Sequence, residues 1–230
     1  AALLMAGAFP VSFALFNIGA VILFASLVLR RICAKNFSVF DGFLDGSVLM
    51  FFLISLLSIF NSQYLSMSLE GTHKLLRYLL LFIAAREVFD GRKDLEAMIG
   101  ALLLGGWIAG LDGILQLLLG EDPIRGRTPS LSFESLIRIS SSFPNPNNLA
   151  GYLCFLIPLA YALWRYAGFR RVLRVLLISS LALFAVALAL TYARSAAIAL
   201  VGVGLIFFFL KKDRRIPAAM VLMLVIGALL

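Results

Sequence analysis

The sequence predicts an all-α fold class: a polytopic transmembrane helical bundle of about eight spans. Three observations predict it. Of the 230 residues, 62% are hydrophobic and only 14% are charged, with a mean hydropathy of +1.03. Soluble domains carry roughly 45–50% apolar and about 25% charged residues. The apolar residues also fall in long runs, and a bilayer core about 30 Å thick needs roughly 20 of them per helix. Finally, the runs are apolar all round rather than amphipathic, and none alternates as a membrane β-strand of about ten residues would.

In chain order the runs are residues 3–29, 43–60, 69–89, 95–119, 149–164, 175–192, 196–210 and 216–230. Pro10 either kinks the first run or divides it into two segments. The last has only 15 residues, which is short for a span. Residue 1 is Ala and no basic segment precedes the first run, so that run is not a signal peptide. Both ends read as cuts, and residues 1–230 as one integral membrane domain of a larger protein. In the fourth run Gly106, Gly110 and Gly113 form a small-residue stripe that admits another helix, from the same chain or from a second copy.

The net charge of +8 and pI near 9.9 point, in so apolar a chain, to a membrane side rather than to nucleic acid. Arg30, Arg31 and Lys35 form one basic cluster, and Arg86, Arg92 and Lys93 a second. Arg165, Arg170, Arg171 and Arg174 form a third, and Lys211, Lys212, Arg214 and Arg215 a fourth. These fourteen of the 20 basic residues occupy every second connection, which places those connections in the cytoplasm. The remaining six are Lys74, Arg77, Arg125, Arg127, Arg138 and Arg194, at or near the external face. Cys33 and Cys154 make no disulfide framework and read as small apolar residues, and one histidine excludes a multi-His metal site. Soluble enzyme, nucleic-acid binder, disulfide scaffold and zinc protein are thereby set aside.

Residues 120–148 make the one long external loop, and Pro123, Pro129, Pro144 and Pro146 with several Ser and Gly residues give it turns. Loops of this length in compact proteins are commonly functional. Residues 133–139 are predicted as a short interfacial helix, and Arg125, Arg127 and Arg138 as neighbours of Glu121, Asp122 and Glu134. At the end of the loop Asn145 is a good N-cap and Pro146 a good first helical residue. A helix N-terminus beside Arg138 suits an anion such as phosphate; the plainer alternative is a capped span with Arg138 snorkelling to headgroups. Arg194 falls in a tight external turn, either as a membrane-boundary functional group or as an interfacial anchor. Two such guanidinium groups would suit a diphosphate, because each binds phosphate oxygens through paired donors. Asp112, inside the fourth run with Gln116 one turn on, reads as a functional carboxylate, as the partner of a loop arginine, or as an interfacial group.

Arg138 followed by Phe143-Pro-Asn-Pro-Asn-Asn-Leu-Ala-Gly-Tyr-Leu153, then Pro158-Leu159, resembles the central motif of the O-antigen ligase and polymerase superfamily. Thr191-x-x-Arg194-Ser-Ala resembles that family's next motif, with Ala193 where Ser is common, and Gly113-Ile-Leu-Gln116 has a similar flavour. The specific motifs occupy residues 113–197. The resemblance implies a multi-span, lipid-sugar-dependent glycosyltransferase of the GT-C type in a bacterial inner membrane. Its donor would be an undecaprenyl-diphosphate-linked glycan, taken up at the external, periplasmic face. Its acceptor would be a glycolipid such as lipid A–core for a ligase, another carrier-linked glycan for a polymerase, or a protein for some relatives.

The resemblance gives Arg138 and Arg194 the role of engaging the donor diphosphate, with no metal or other cofactor required. Asn145, Asn147 and Asn148 of the motif, Arg125 and Arg127 of the loop, and Lys74 and Arg77 are the further substrate-binding candidates. The family's proposed base is a histidine in a large external loop beyond the motifs, which the resemblance places past residue 230. His73 lies elsewhere, beside Lys74, and reads as an interfacial or packing residue or as a substrate contact. A rival reading, a transporter or channel lined by Asp112, would call for an inverted repeat, and the two halves have no evident self-similarity. Membrane lipids are expected to surround the bundle.

Overall fold

The computed structural model describes residues 13–34, 43–88, 91–131, 136–167 and 169–211. Pro10, Lys35, Lys212, Arg214, Arg215 and the run 216–230 lie outside the described residues. Within them the chain forms seven helices and one short ribbon: α1 (Phe13–Ala34), α2 (Phe43–Ile59), α3 (Leu65–Val88), α4 (Arg92–Leu119), β1 (Ser130–Leu131), β2 (Ile137–Arg138), α5 (Pro146–Tyr166), α6 (Arg171–Leu190) and α7 (Arg194–Lys211). The apolar runs from the second to the seventh each coincide with one helix. Three helices, α4, α5 and α6, are long and apolar enough to cross a membrane, and Gly46–Ile59 and Arg194–Phe207 are shorter apolar helices. At 1.5 Å per residue, α5 and α6 are about 30 Å long, the thickness of a hydrocarbon core.

Two compact units result: among the described residues, 14–99 form the first, and Phe13 with 100–211 the second. In the first, α2 packs on α3. In the second, α5 packs on both α6 and α7, around a core of Ala109, Ile139, Leu149, Leu153, Leu156, Phe184 and Ala187. Outside that core, large apolar side chains face outward: Leu118 is 74% exposed, Val172 71% and Ile198 70%. Large apolar side chains exposed in this number are costly in water and matched by acyl chains.

The glycine stripe of α4 is used within the chain. A Cβ on Gly106 would come within 2.7 Å of Phe184 Cζ and closer still to Leu156, and one on Gly110 within 3.1 Å of Leu183 Cγ. These contacts are what the missing side chains admit, so the stripe seats α5 and α6 and is not a free face for a second copy. Two hydrogen bonds reinforce the packing. Trp107 Nε1 donates to Ser180 Oγ at 2.7 Å, while Ser180 Oγ donates to the Leu176 carbonyl. The Tyr152 hydroxyl donates to the Leu102 carbonyl at 3.0 Å.

Substituting Gly106→Ala should therefore destabilise the second unit by about 1–3 kcal/mol through overpacking. Gly202→Ala, whose Cβ meets nothing within 4 Å, should be neutral or slightly stabilising. Thermal unfolding of the two variants in the same nanodiscs compares them directly, and equal melting temperatures would refute the packing role of Gly106.

Candidate functional site

One end of the second unit gathers the C-terminal ends of α4 and α6 and the N-terminal ends of α5 and α7. Helix α4 stops because Gly120 adopts φ +83°, its N–H returning to the Gln116 carbonyl at 3.0 Å. Asp122 then folds the chain back. Its carboxylate accepts the backbone N–H of Arg125 and, at 2.9 Å, that of Arg127. Its own N–H donates to the Arg127 carbonyl at 2.9 Å. This is the Asx-type turn that an aspartate followed by Pro123 and Gly126, at φ +65°, favours. Asp122 is 1% exposed, so these amides are what its buried carboxylate has in place of water.

The returning strand corrects one expectation. Residues 137–138 form β2, paired antiparallel with β1 so that Ser130 faces Arg138 and Leu131 faces Ile137; they are not part of a helix over 133–139. The strand places Arg138 between two helices. Its Nε donates to the Thr191 carbonyl at 2.8 Å, at the C-cap of α6, and its Nη2 to Asn147 Oδ1 at 3.0 Å, in the first turn of α5. The next residue continues the attachment, with the Ile139 N–H donating to the Leu190 carbonyl at 3.1 Å. A cation at a helix C-terminus is favoured by the helix dipole.

Helix α5 begins where expected. Asn145 is the N-cap, its Oδ1 accepting the Asn148 N–H at 2.9 Å, and Pro146 is the first helical residue. Asn145, Asn147 and Asn148 are all exposed. Across the turn from α6, Thr191 is fully buried and its Oγ1 donates to the Leu188 carbonyl. Tyr192 takes φ +50°, and Arg194 opens α7 with its side chain exposed. The two segments that carry the motif likeness are thus joined by the Arg138–Thr191 hydrogen bond.

Beneath this end lie the buried polar groups of α4, Asp112 and Gln116. Gln116 Oε1 accepts the Ser140 N–H at 2.8 Å and the Ser141 N–H at 2.9 Å, while Nε2 donates to the Arg127 carbonyl at 3.0 Å. Asp112 does not pair with a loop arginine: its Oδ2 accepts the Ser141 hydroxyl at 2.6 Å. The spacing of four between Asp112 and Gln116 puts both on one face of α4, a signal present in the sequence. The serines were not identifiable as its partners without the loop path.

The other candidates are placed differently. Arg125 and Arg127 are half-buried, and their backbones build the Asp122 turn. Lys74 and Arg77 belong to α3 in the first unit, where Lys74 Nζ is 2.7 Å from Glu70 Oε1. His73 is exposed on the same helix. Cys154 is half-buried, its Sγ 3.6 Å from the Ala196 carbonyl against Ala150 and Ala193. Cys33 is exposed.

Comparison with known protein families, with characterised proteins and with solved structures gives no match to this chain.

Removing the Asp122 carboxylate leaves the turn amides unsatisfied, at about 1–3 kcal/mol. Asp122→Ala should accordingly make the 120–131 segment susceptible to limited proteolysis. Asp122→Asn, which retains one acceptor, should be cut more slowly. Equal cutting of wild type and the Ala variant would show that Asp122 does not organise this turn.

Proposed function

We propose that this chain is part of a bacterial inner-membrane glycosyltransferase of the O-antigen ligase and polymerase superfamily, a GT-C-type bundle of about eight spans. It moves a glycan from undecaprenyl diphosphate to an acceptor on the periplasmic face. The ligase reading, with lipid A–core as acceptor, is preferred; a polymerase of the same superfamily is the close alternative. The basic clusters orient the bundle, so that Arg165, Arg170, Arg171 and Arg174 face the cytoplasm and the Arg138 end faces out.

The observation that carries the reading is the Arg138 anchorage. One guanidinium is hydrogen-bonded to both motif segments at once, through Thr191 and Asn147, and Arg194 opens the neighbouring helix in the same turn. A diphosphate leaving group accumulates negative charge as the glycosidic bond breaks. Positioned guanidinium groups and helix N-termini stabilise that charge more than they stabilise the ground state. Asn145, Asn147 and Asn148, exposed at the mouth of α5, supply further polar contacts. Arg125 and Arg127 act through the backbone of the loop, and Lys74 and Arg77 remain candidates for a headgroup or diphosphate contact. A transport pathway would rest on Asp112, and its engagement by Ser141 favours the enzyme.

Arg138→Ala and Arg194→Ala in the intact protein should each lower glycan transfer by about 100-fold or more, the scale seen when one oxyanion-stabilising donor is lost, with membrane insertion unchanged. Arg138→Lys should stay deficient, because an ammonium cannot reach Thr191 and Asn147 through a planar fork. Wild-type transfer in both alanine variants would overturn the assignment.

A further inference from the structure

The loop that delivers Arg138 is held from below by α4. Ile139, Ser140, Ser141 and Ser142 are all buried, in a segment without helix or strand that passes beside three apolar helices. Backbone N–H groups in such a place need partners. Gln116, fully buried, accepts two of them in succession, those of Ser140 and Ser141. Ser141 sits at φ +53°, a left-handed conformation that costs a non-glycine residue of this kind about 1–2 kcal/mol. Its amide is held by Gln116 and its hydroxyl by Asp112. One face of α4 thus grips both polar ends of the strained residue. The far side of the Gln116 amide holds the Arg127 carbonyl, so the same side chain fixes the outgoing and the returning arm of the loop.

We propose that Asp112 and Gln116 are positioning residues that act on Arg138 through the 139–141 backbone. Gln116 sets the register of the loop and Asp112 holds Ser141 in its left-handed conformation. Together they fix the point from which the guanidinium reaches Thr191 and Asn147. Neither residue touches substrate. The assignment rests on the transferase reading for its catalytic consequence, but not for its structural one. For Ser141 the Asp112 carboxylate is an acceptor, a task an amide oxygen performs as well.

Two measurements on the intact protein in nanodiscs test this. Gln116→Met keeps the volume and removes every hydrogen bond. Amide hydrogen exchange over residues 139–142 should then accelerate at least tenfold while α5 and α6 stay protected. The kcat for glycan transfer should fall by about 100-fold, as expected for misplacement of a reacting group by near 1 Å, with donor KM little changed. Asp112→Asn, which retains the acceptor, should keep both exchange and kcat near wild type, whereas Asp112→Leu should behave like Gln116→Met. Unchanged exchange over 139–142 in Gln116→Met overturns the clamp. So does a wild-type kcat in that variant where Arg138→Ala is inactive. Loss of transfer in Asp112→Asn with normal exchange overturns the positioning role of Asp112 in favour of a chemical one. Full transfer in Arg138→Ala instead removes the transferase role of Arg138, and the exchange arm still decides whether the clamp exists.

Discussion

Satisfaction of backbone hydrogen bonds beside an apolar bundle is the constraint on which the candidate site depends. Helices meet it internally, so α4, α5 and α6 need only apolar surfaces and close packing. The chain between α4 and α5 has no such internal solution. Among its described residues between Gly120 and Asn145 the only regular structure is the two-residue pairing of β1 and β2, and part of it is buried. The missing partners come from side chains: Asp122 for the amides of residues 125 and 127, Gln116 for those of 140 and 141, and Asn145 for that of 148. Helix carbonyls complete the set, Leu190 accepting from Ile139. Among the described residues, these bonds tie the buried parts of the loop, Asp122 and residues 139–142, to the bundle.

This explains which features were legible in the sequence. Helix positions were, because a run of apolar residues without Gly-Pro punctuation has few other stable forms in lipid. The start of α5 was as well, because Asn145-Pro146 encodes its cap locally. The ribbon at 137–138 is not legible because Leu136, Ile137 and Ile139 fit a short helix as well as a strand, and its pairing with residues 130–131 depends on the path of the loop; the next residue, Ile139, bonds to Leu190, more than fifty residues away. For Asp112 the sequence leaves open a functional carboxylate, an arginine partner or an interfacial group, and charge alone suggests the arginine. Its actual partner, Ser141, is neutral and lies 29 residues on. Interactions that depend on the path of an irregular segment are not written in spacing, whereas the Asx turn at Asp122 was written there and was overlooked.

The groups that fix Arg138 bear on what it can do. Among the described residues both are neutral oxygen dipoles, a backbone carbonyl and an amide side chain. Dipoles orient a guanidinium without cancelling its charge, as a carboxylate partner would. A cation oriented in this way is prepared to meet an anion with little reorganisation, the condition under which electrostatic stabilisation is largest. The geometry also separates two roles the sequence could not. Arg127 and Arg138 lie in one loop, but the first gives its backbone to the fold and the second gives its side chain to the junction of two helices.

Among the described residues, two non-glycine residues with positive φ sharpen this distinction. Ser141, at +53°, lies three residues after Arg138, and Tyr192, at +50°, follows Thr191, whose carbonyl anchors it. Each costs about 1–2 kcal/mol against an ordinary conformation. Strain of this kind persists where surrounding contacts over-determine it, and such places cluster at functional sites. Tyr192 allows α6 to reverse into α7 within residues 191–193, leaving the Thr191 carbonyl turned to Arg138 and returning its own N–H to Ala189. Ser141 allows the loop to drop from Arg138 to the buried face of α4 within three residues. Glycine at either position would relieve the strain, and it would also free the backbone to take other paths. Retaining side chains at both means that the two ends of the Arg138 anchorage are held in one conformation by specific hydrogen bonds, which is what a preorganised electrostatic site requires.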